Sequence, residues 1–154
     1  MLLAHGAVIE NASVLHASVI GGSIDMMEHV LKHGANINER DNIITMGYNM
    51  AGTPLLRAIS RGKIDLVKFL LERGASILGY YSNGFMRFTA LELVAADCML
   101  TKGRISEELR ELVEREVKKQ KIEKELEKRE REQELKKQEE EKDVRKQKRT
   151  ESKL

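Results

Sequence analysis

The stretch "TPLLRAISRGKIDLVKFLLERGASIL", residues 53–78, lies without a gap on "SVLHASVIGGSIDMMEHVLKHGANIN", residues 13–38. Leu15 falls on Leu55, Gly22 on Gly62, Ile24 on Ile64, Asp25 on Asp65, Met27 on Val67, and Val30-Leu31 on Leu70-Leu71. The pair Gly34-Ala35 falls on Gly74-Ala75. Agreement at small, apolar and Gly positions over that length marks an internal repeat, whose units bury their apolar faces by stacking on one another.

Each copy reads as two short helices. Thr53 can accept from the first free N–H groups of a helix, and Pro54 in the first turn has no N–H to leave unsatisfied; Ser13 offers the cap in the earlier copy. The first helix runs to Gly62, which can take the left-handed conformation that closes a helix end. Ile64, Val67, Leu70 and Leu71 then share one face of a second helix, which Gly74 stops. Neither helix is long enough to be stable alone.

The pattern resembles the ankyrin repeat, whose signature reads T-P-L-H-x-A, a Gly turn, then a Leu-rich helix ending in G-A. "TPLLRA" (53–58) keeps Thr, Pro, Leu and Ala; "SVLHAS" (13–18) keeps Leu15 and His16. "LLERGAS" and "VLKHGAN" supply the endings, "LLAHGAVIEN" from Leu2 matches the end of a further unit, and "TALELVAA" from Thr89 looks like another first helix. The resemblance implies an all-α, ankyrin-like helical-repeat solenoid over residues 1–115: a partial unit at 1–11, full units at 12–41 and 52–78, and a divergent last unit at 88–115. Residues 116–154 form a charged helical or disordered tail.

The spacing departs from the family. The ankyrin period is about 33 residues, yet Thr53 lies 40 after Ser13 and Thr89 lies 36 after Thr53, so two inter-repeat fingers are lengthened. The last unit has Cys98 where a Gly is expected, then "MLTKG" and "ISEELRELVE" as its outer helix. The front reads as a truncated array, the remnant of a longer one; the alternative is a front edge exposing apolar surface around Leu2, Leu3 and Leu15 that something else covers.

Residues 104–154 hold 18 of the 27 Lys and Arg and 16 of the 25 Asp and Glu, so the core belongs to the front of the chain. From Ser106 onward there is no Gly or Pro, and strong helix formers dominate. Glu-to-Lys/Arg pairs four apart recur at Glu111/Arg115, Glu114/Lys118, Glu125/Arg129, Glu127/Arg131, Glu132/Lys136 and Glu141/Arg145. A long helix is expected. Ile105, Leu109, Leu112 and Val113 suit packing on the last repeat; Val117, Ile122 and Leu126 follow, and then only Leu135 and Val144. That stripe falls short of sustained heptads and allows at most weak self-association. The signs are interleaved, so the basic footprint of a nucleic-acid binder is missing. "RKQKR" (145–149) could act as a nuclear-import or acidic-surface patch.

Catalytic chemistry is thin. His29 and His33 share a helix face but lack a cluster of further ligands; His16 falls on the motif His, which the resemblance makes a scaffold hydrogen-bonding group. Cys98 has no matched His for a nucleophile, and one cysteine suits a reducing compartment. No cofactor, metal or small-molecule substrate is expected, no apolar run approaches a membrane span, and the chain reads as non-enzymatic and cytoplasmic or nuclear.

Partner chemistry concentrates elsewhere. By resemblance, ankyrin arrays bind proteins through finger tips and the concave face of the first helices, where Ala17, Ile20 and Gly21 lie beside Arg57, Ser60 and Arg61. One finger, "RDNIITMGYNMAG", carries Ile43, Ile44, Met46, Tyr48 and Met50; the other, "LGYYSNGFMRF" (78–88), carries Tyr80, Tyr81, Phe85 and Phe88 around an Asn83-Gly84 turn signal. Aromatic and Met enrichment fits a binding surface, and the same side chains would serve two fingers packed on each other. The candidate contacts are Ile44, Met46, Tyr48, Arg57, Arg61, Tyr80, Tyr81 and Phe85. The expected function is non-catalytic protein–protein interaction, the alternatives a spacer or dimerising protein acting through the charged helix, and nucleic-acid binding by the tail.

Overall fold

The computed structural model describes residues 13–45, 48–95, 101 and 103–151, with side-chain detail for 14–40, 51–95, 101 and 103–142. Two compact units divide the chain, Met1–Lys118 and Lys119–Leu154. In the first, helix pairs follow the repeat: α1 (Ser13–Gly21) with α2 (Ile24–Lys32), and α3 (Pro54–Ser60) with α4 (Ile64–Glu72). A short α5 (Ala90–Val94) follows, and α6 (Glu107–Glu151) opens in this unit. The partial front repeat at 1–11, with Leu2 and Leu3, lies outside the described residues, as does Cys98.

Both copies end their helices in the same way, for a reason visible in the glycines. Gly22 and Gly62 have φ of +74° and +66°, Gly34 and Gly74 of +90° and +80°. That conformation turns the next N–H back onto the carbonyl five residues earlier: Ser23 onto Ser18, Lys63 onto Ala58, Ala35 onto Val30 and Ala75 onto Leu70, at 3.0–3.3 Å. Orphan carbonyls at each helix end are satisfied without a side chain. At the starts, Thr53 Oγ1 accepts from Leu56 N at 3.3 Å and Ser23 Oγ from Met26 N at 3.2 Å. Lys63, which opens α4, supplies no such bond.

The first helices stack α1 on α3 on α5, so α3 has a neighbour on each side and every one of its residues is buried. Leu15, which only the exposed-edge alternative put at the surface, is 1% exposed, packed in the α1–α2 and α1–α3 core with Val19, Met27 and Val30. The apolar face read for α4 is present, with Val67 and Leu70 fully buried and Leu66 and Phe69 added to it. Leu109, Val113 and Val117 on α6 complete the core of this unit, as an outer helix of the last pair would.

The lengthened fingers add β structure to the helical solenoid. β1 (Asp41–Thr45), β2 (Tyr48–Gly52), β3 (Tyr81–Ser82) and β4 (Arg87–Phe88) form a four-stranded antiparallel sheet in that order. The fingers join where Ala51 faces Ser82. Within the second finger Tyr81 faces Phe88 and Ser82 faces Arg87. That register puts Gly84 and Phe85 at the centre of the turn, one residue later than the Asn-Gly pair suggests. Asn83 serves the turn through its side chain instead, its Oδ1 accepting from Phe85 N at 3.1 Å and Met86 N at 2.9 Å.

In the second unit the side chains of α6 are exposed over residues 121–142, with Ile122, Leu126 and Leu135 52–59% exposed. Of the expected pairs there, Glu125/Arg129 and Glu127/Arg131 form at 3.6 and 3.5 Å, and Glu132 pairs backwards with Lys128 at 3.9 Å.

Candidate partner-binding site

Strand alternation sorts the aromatics of the second finger. Successive side chains on a strand point to opposite faces, so Tyr81 turns inward (3% exposed) and Tyr80 outward. The Tyr81 ring lies against Gly52 of the first finger, where even a single Cβ would come within 2.8 Å of its Cδ2. Phe88, opposite Tyr81, packs beside it on the core. These two rings therefore join the fingers to the repeats, while Phe85, at the turn, is 76% exposed and Met86 46%.

Tyr80 sits between two arginines. The Arg40 guanidinium lies 4.1 Å from the ring centre and that of Arg87 4.5 Å, close enough for cation–π attraction. Arg40 Nη1 also donates to the Tyr80 carbonyl at 2.9 Å. Both arginines are exposed. The result is a cationic and aromatic platform, two guanidinium groups over one ring, on the finger that carries the apolar turn.

Two of the expected contacts are removed by burial. Arg57 is 2% exposed, because α1 and α5 flank its helix and the inward Tyr81 ring lies 5.9 Å from its guanidinium. Tyr81 is buried by the strand parity just described. On the concave face Ser60 is buried as well, leaving Ala17, Ile20, Gly21 and Arg61 exposed. Ile44 and Tyr48 belong to the paired strands β1 and β2, and their side chains, like Met46, lie outside the described residues. Arg40, Arg87 and Met86 were not singled out from the sequence. Arg40 and Tyr80 are 40 residues apart and meet only once the fingers pair. Arg87 had one local signal, its place beside Phe88 in an alternating strand.

The remaining polar groups are structural. His16 Nε2 lies 2.9 Å from the Gly52 carbonyl, tying α1 to the base of the first finger. His33 Nδ1 lies 2.8 Å from the His29 carbonyl, and the two rings stack tilted at 4.4 Å. Among the described residues no group of three His, Cys, Asp or Glu side chains could hold a metal. Thr89 and Glu92 form a capping box on α5: the Thr89 backbone N–H, and after it the hydroxyl, donate to the Glu92 carboxylate and hold it below its ordinary pKa. On the outer side Lys68 donates to Glu108 at 2.6 Å, and that carboxylate raises the pKa of the ammonium. Among the described residues no helix is long and apolar enough to cross a membrane.

Comparison with known proteins agrees with this architecture. A family model described as ankyrin repeats (3 copies) matches residues 1–79, just over half of the 154-residue chain. No curated protein matches the sequence. Among solved structures, the chain is similar to the ankyrin repeat domain of Bcl-3, described as a unique member of the IkappaB protein family, at 22% identity and a TM-score of 0.41. That match covers 56% of this chain and 34% of the Bcl-3 chain, so this protein spans about a third of the solved domain. Paired short helices, their glycine turns and the family match over the first three units lead to one conclusion: the chain belongs to the ankyrin-repeat family.

Proposed function

We propose that this protein is a non-catalytic protein–protein interaction module that binds its partner through the paired fingers and the adjoining concave face. The observation that carries the reading is the exposure of Tyr80, Phe85 and Met86 together on one finger. Large apolar side chains presented at a rigid turn have the composition of an interface core. Arg61 and Ile20 extend the surface along the first helices, and Ile44, Met46 and Tyr48 of the first finger belong to the same proposal. We take the repeats to run past the matched segment to residue 115, with α5 and the start of α6 as the last pair and 116–154 as a tail, and the protein to work in the cytosol or nucleus.

The test is an affinity capture comparing the intact chain with a variant carrying Tyr80→Ser, Phe85→Ser and Met86→Ser. All three side chains are exposed, so helical content should be unchanged. Loss of one specific captured protein supports the reading; an unaltered set of captured proteins sinks it.

A second reading rests on Ile122, Leu126 and Leu135, exposed on one 45-residue helix. In it the helix is the working part, as a spacer or a weak dimer seam, and the repeats cap it. A light-scattering mass that stays monomeric at all concentrations would count against the dimer form. Nucleic-acid binding by the tail's Lys and Arg would show as steeply salt-dependent affinity for an arbitrary duplex, and no binding at low salt removes it.

A further inference from the structure

The proposed interaction function leaves open the chemistry of the partner, and the Tyr80 platform narrows it. Two guanidinium groups are held around one ring, at 4.1 and 4.5 Å from its centre. Among the described residues no carboxylate pairs with either of them. Like charges gathered this closely repel, and the ring offsets only part of that cost. Of the five N–H donors on Arg40, one is committed to the Tyr80 carbonyl. The rest of the fork, and that of Arg87, belongs to exposed side chains.

Stacking on an aromatic face orients a guanidinium, and an oriented fork matches a carboxylate with two parallel hydrogen bonds. The apolar turn of Phe85 and Met86 is the tip of the same two-strand finger, directly before Arg87 in sequence, and Tyr80 stands just before its first strand. A ligand that satisfies both features carries acidic side chains next to a large apolar one. We propose that the second finger is a docking site for an acidic segment of a partner protein, with its carboxylates on Arg40 and Arg87 and its apolar residue against Phe85 and Met86. The proposal rests on the interaction reading above.

A nucleic-acid occupant fits less well. Residues 1–103 carry 9 Lys and Arg against 9 Asp and Glu, so no broad positive field surrounds the two arginines to follow a phosphate backbone. A peptide needs only the local pair.

The experiment is a selection from a random-peptide display library on the full chain, followed by affinity measurements on the purified enriched peptides. The expected result is enrichment of Asp and Glu beside Leu, Phe or Trp, with affinity that falls as salt rises. Arg40→Gln with Arg87→Gln should weaken binding at least about tenfold, the loss expected from removing charge-assisted hydrogen bonds. K32Q, at the exposed end of α2, should leave it unchanged. Because Arg40 also bonds the finger backbone, R87Q alone is the second variant: among the described residues the Arg87 guanidinium makes no hydrogen bond to the finger, and its loss should weaken binding in the same direction. Peptides that lack acidic residues, or that bind R87Q and the double variant as well as the parent, overturn the acidic docking site while leaving the interaction module in place. An arbitrary single-stranded oligonucleotide held through the same arginines as tightly as the peptides overturns the peptide assignment. No enriched peptide at all counts against both readings.

Discussion

Single residues carry the repeat's geometry, and two glycines in equivalent places show that equivalence in sequence is not equivalence in surroundings. Gly22 and Gly62 both close a first helix at positive φ. A Cβ at Gly22 meets nothing within 4 Å, whereas at Gly62 it runs into the carbonyl of Arg104 from the loop before α6. Gly22→Ala should therefore cost only the left-handed backbone strain, about 1–2 kcal/mol. Gly62→Ala should cost clearly more, since backbone rather than a flexible side chain must move. Urea unfolding of the two variants checks the order; equal losses would mean that the 103–104 loop does not rest on Gly62. At Glu92 the same scale gives a pH dependence. Its folded pKa is lowered, so the capping-box contribution is present above the ordinary carboxylate value of 4.5 and is lost as pH falls through the folded value. Glu92→Gln should flatten the acid limb of the stability curve, and an unchanged limb would show that the box contributes nothing there.

At the scale of elements, the two full repeats differ in one cap. Ser23 caps α2 through its hydroxyl, while Lys63 in the same place on α4 makes no side-chain cap. Lys63→Ser should stabilise the protein by about 1 kcal/mol, read from the thermal midpoint; no gain would mean that this helix end is satisfied otherwise. On α6 the division between buried and exposed residues gives an opposite pair. Leu109→Ala should cost about 2–5 kcal/mol, and Ile122→Ser less than about 0.5 kcal/mol, in denaturant titration. A large loss at Ile122 would reveal a partner helix and favour the dimer reading. The helices, their glycine stops and the packing face of α4 were legible because helix and turn preferences are local and recur at a fixed spacing. The fingers were not. Whether Tyr81 or Tyr80 faces inward depends on strand parity, parity depends on the register between Ala51 and Ser82, and that register is set by two segments far apart in the chain. The same non-local step buried Arg57 beneath Tyr81, brought Arg40 to Tyr80, and moved the turn centre from Asn83-Gly84 to Gly84-Phe85.

Across the whole molecule, the proposed recognition surface is the finger side of the repeat unit, with the buried rings behind it as its support. Tyr81 and Phe88 hold the fingers to the core, so Tyr80, Phe85 and Met86 can be changed without unfolding the protein. The charged helix is exposed over residues 121–142, and recognition is not proposed for it in the main reading. The most direct measurement is amide hydrogen exchange of the full chain with and without its captured partner. Added protection is expected, centred on residues 80–87, with little change along 122–142. Protection confined to that stretch of α6, with the finger exchanging as in the free chain, would contradict it.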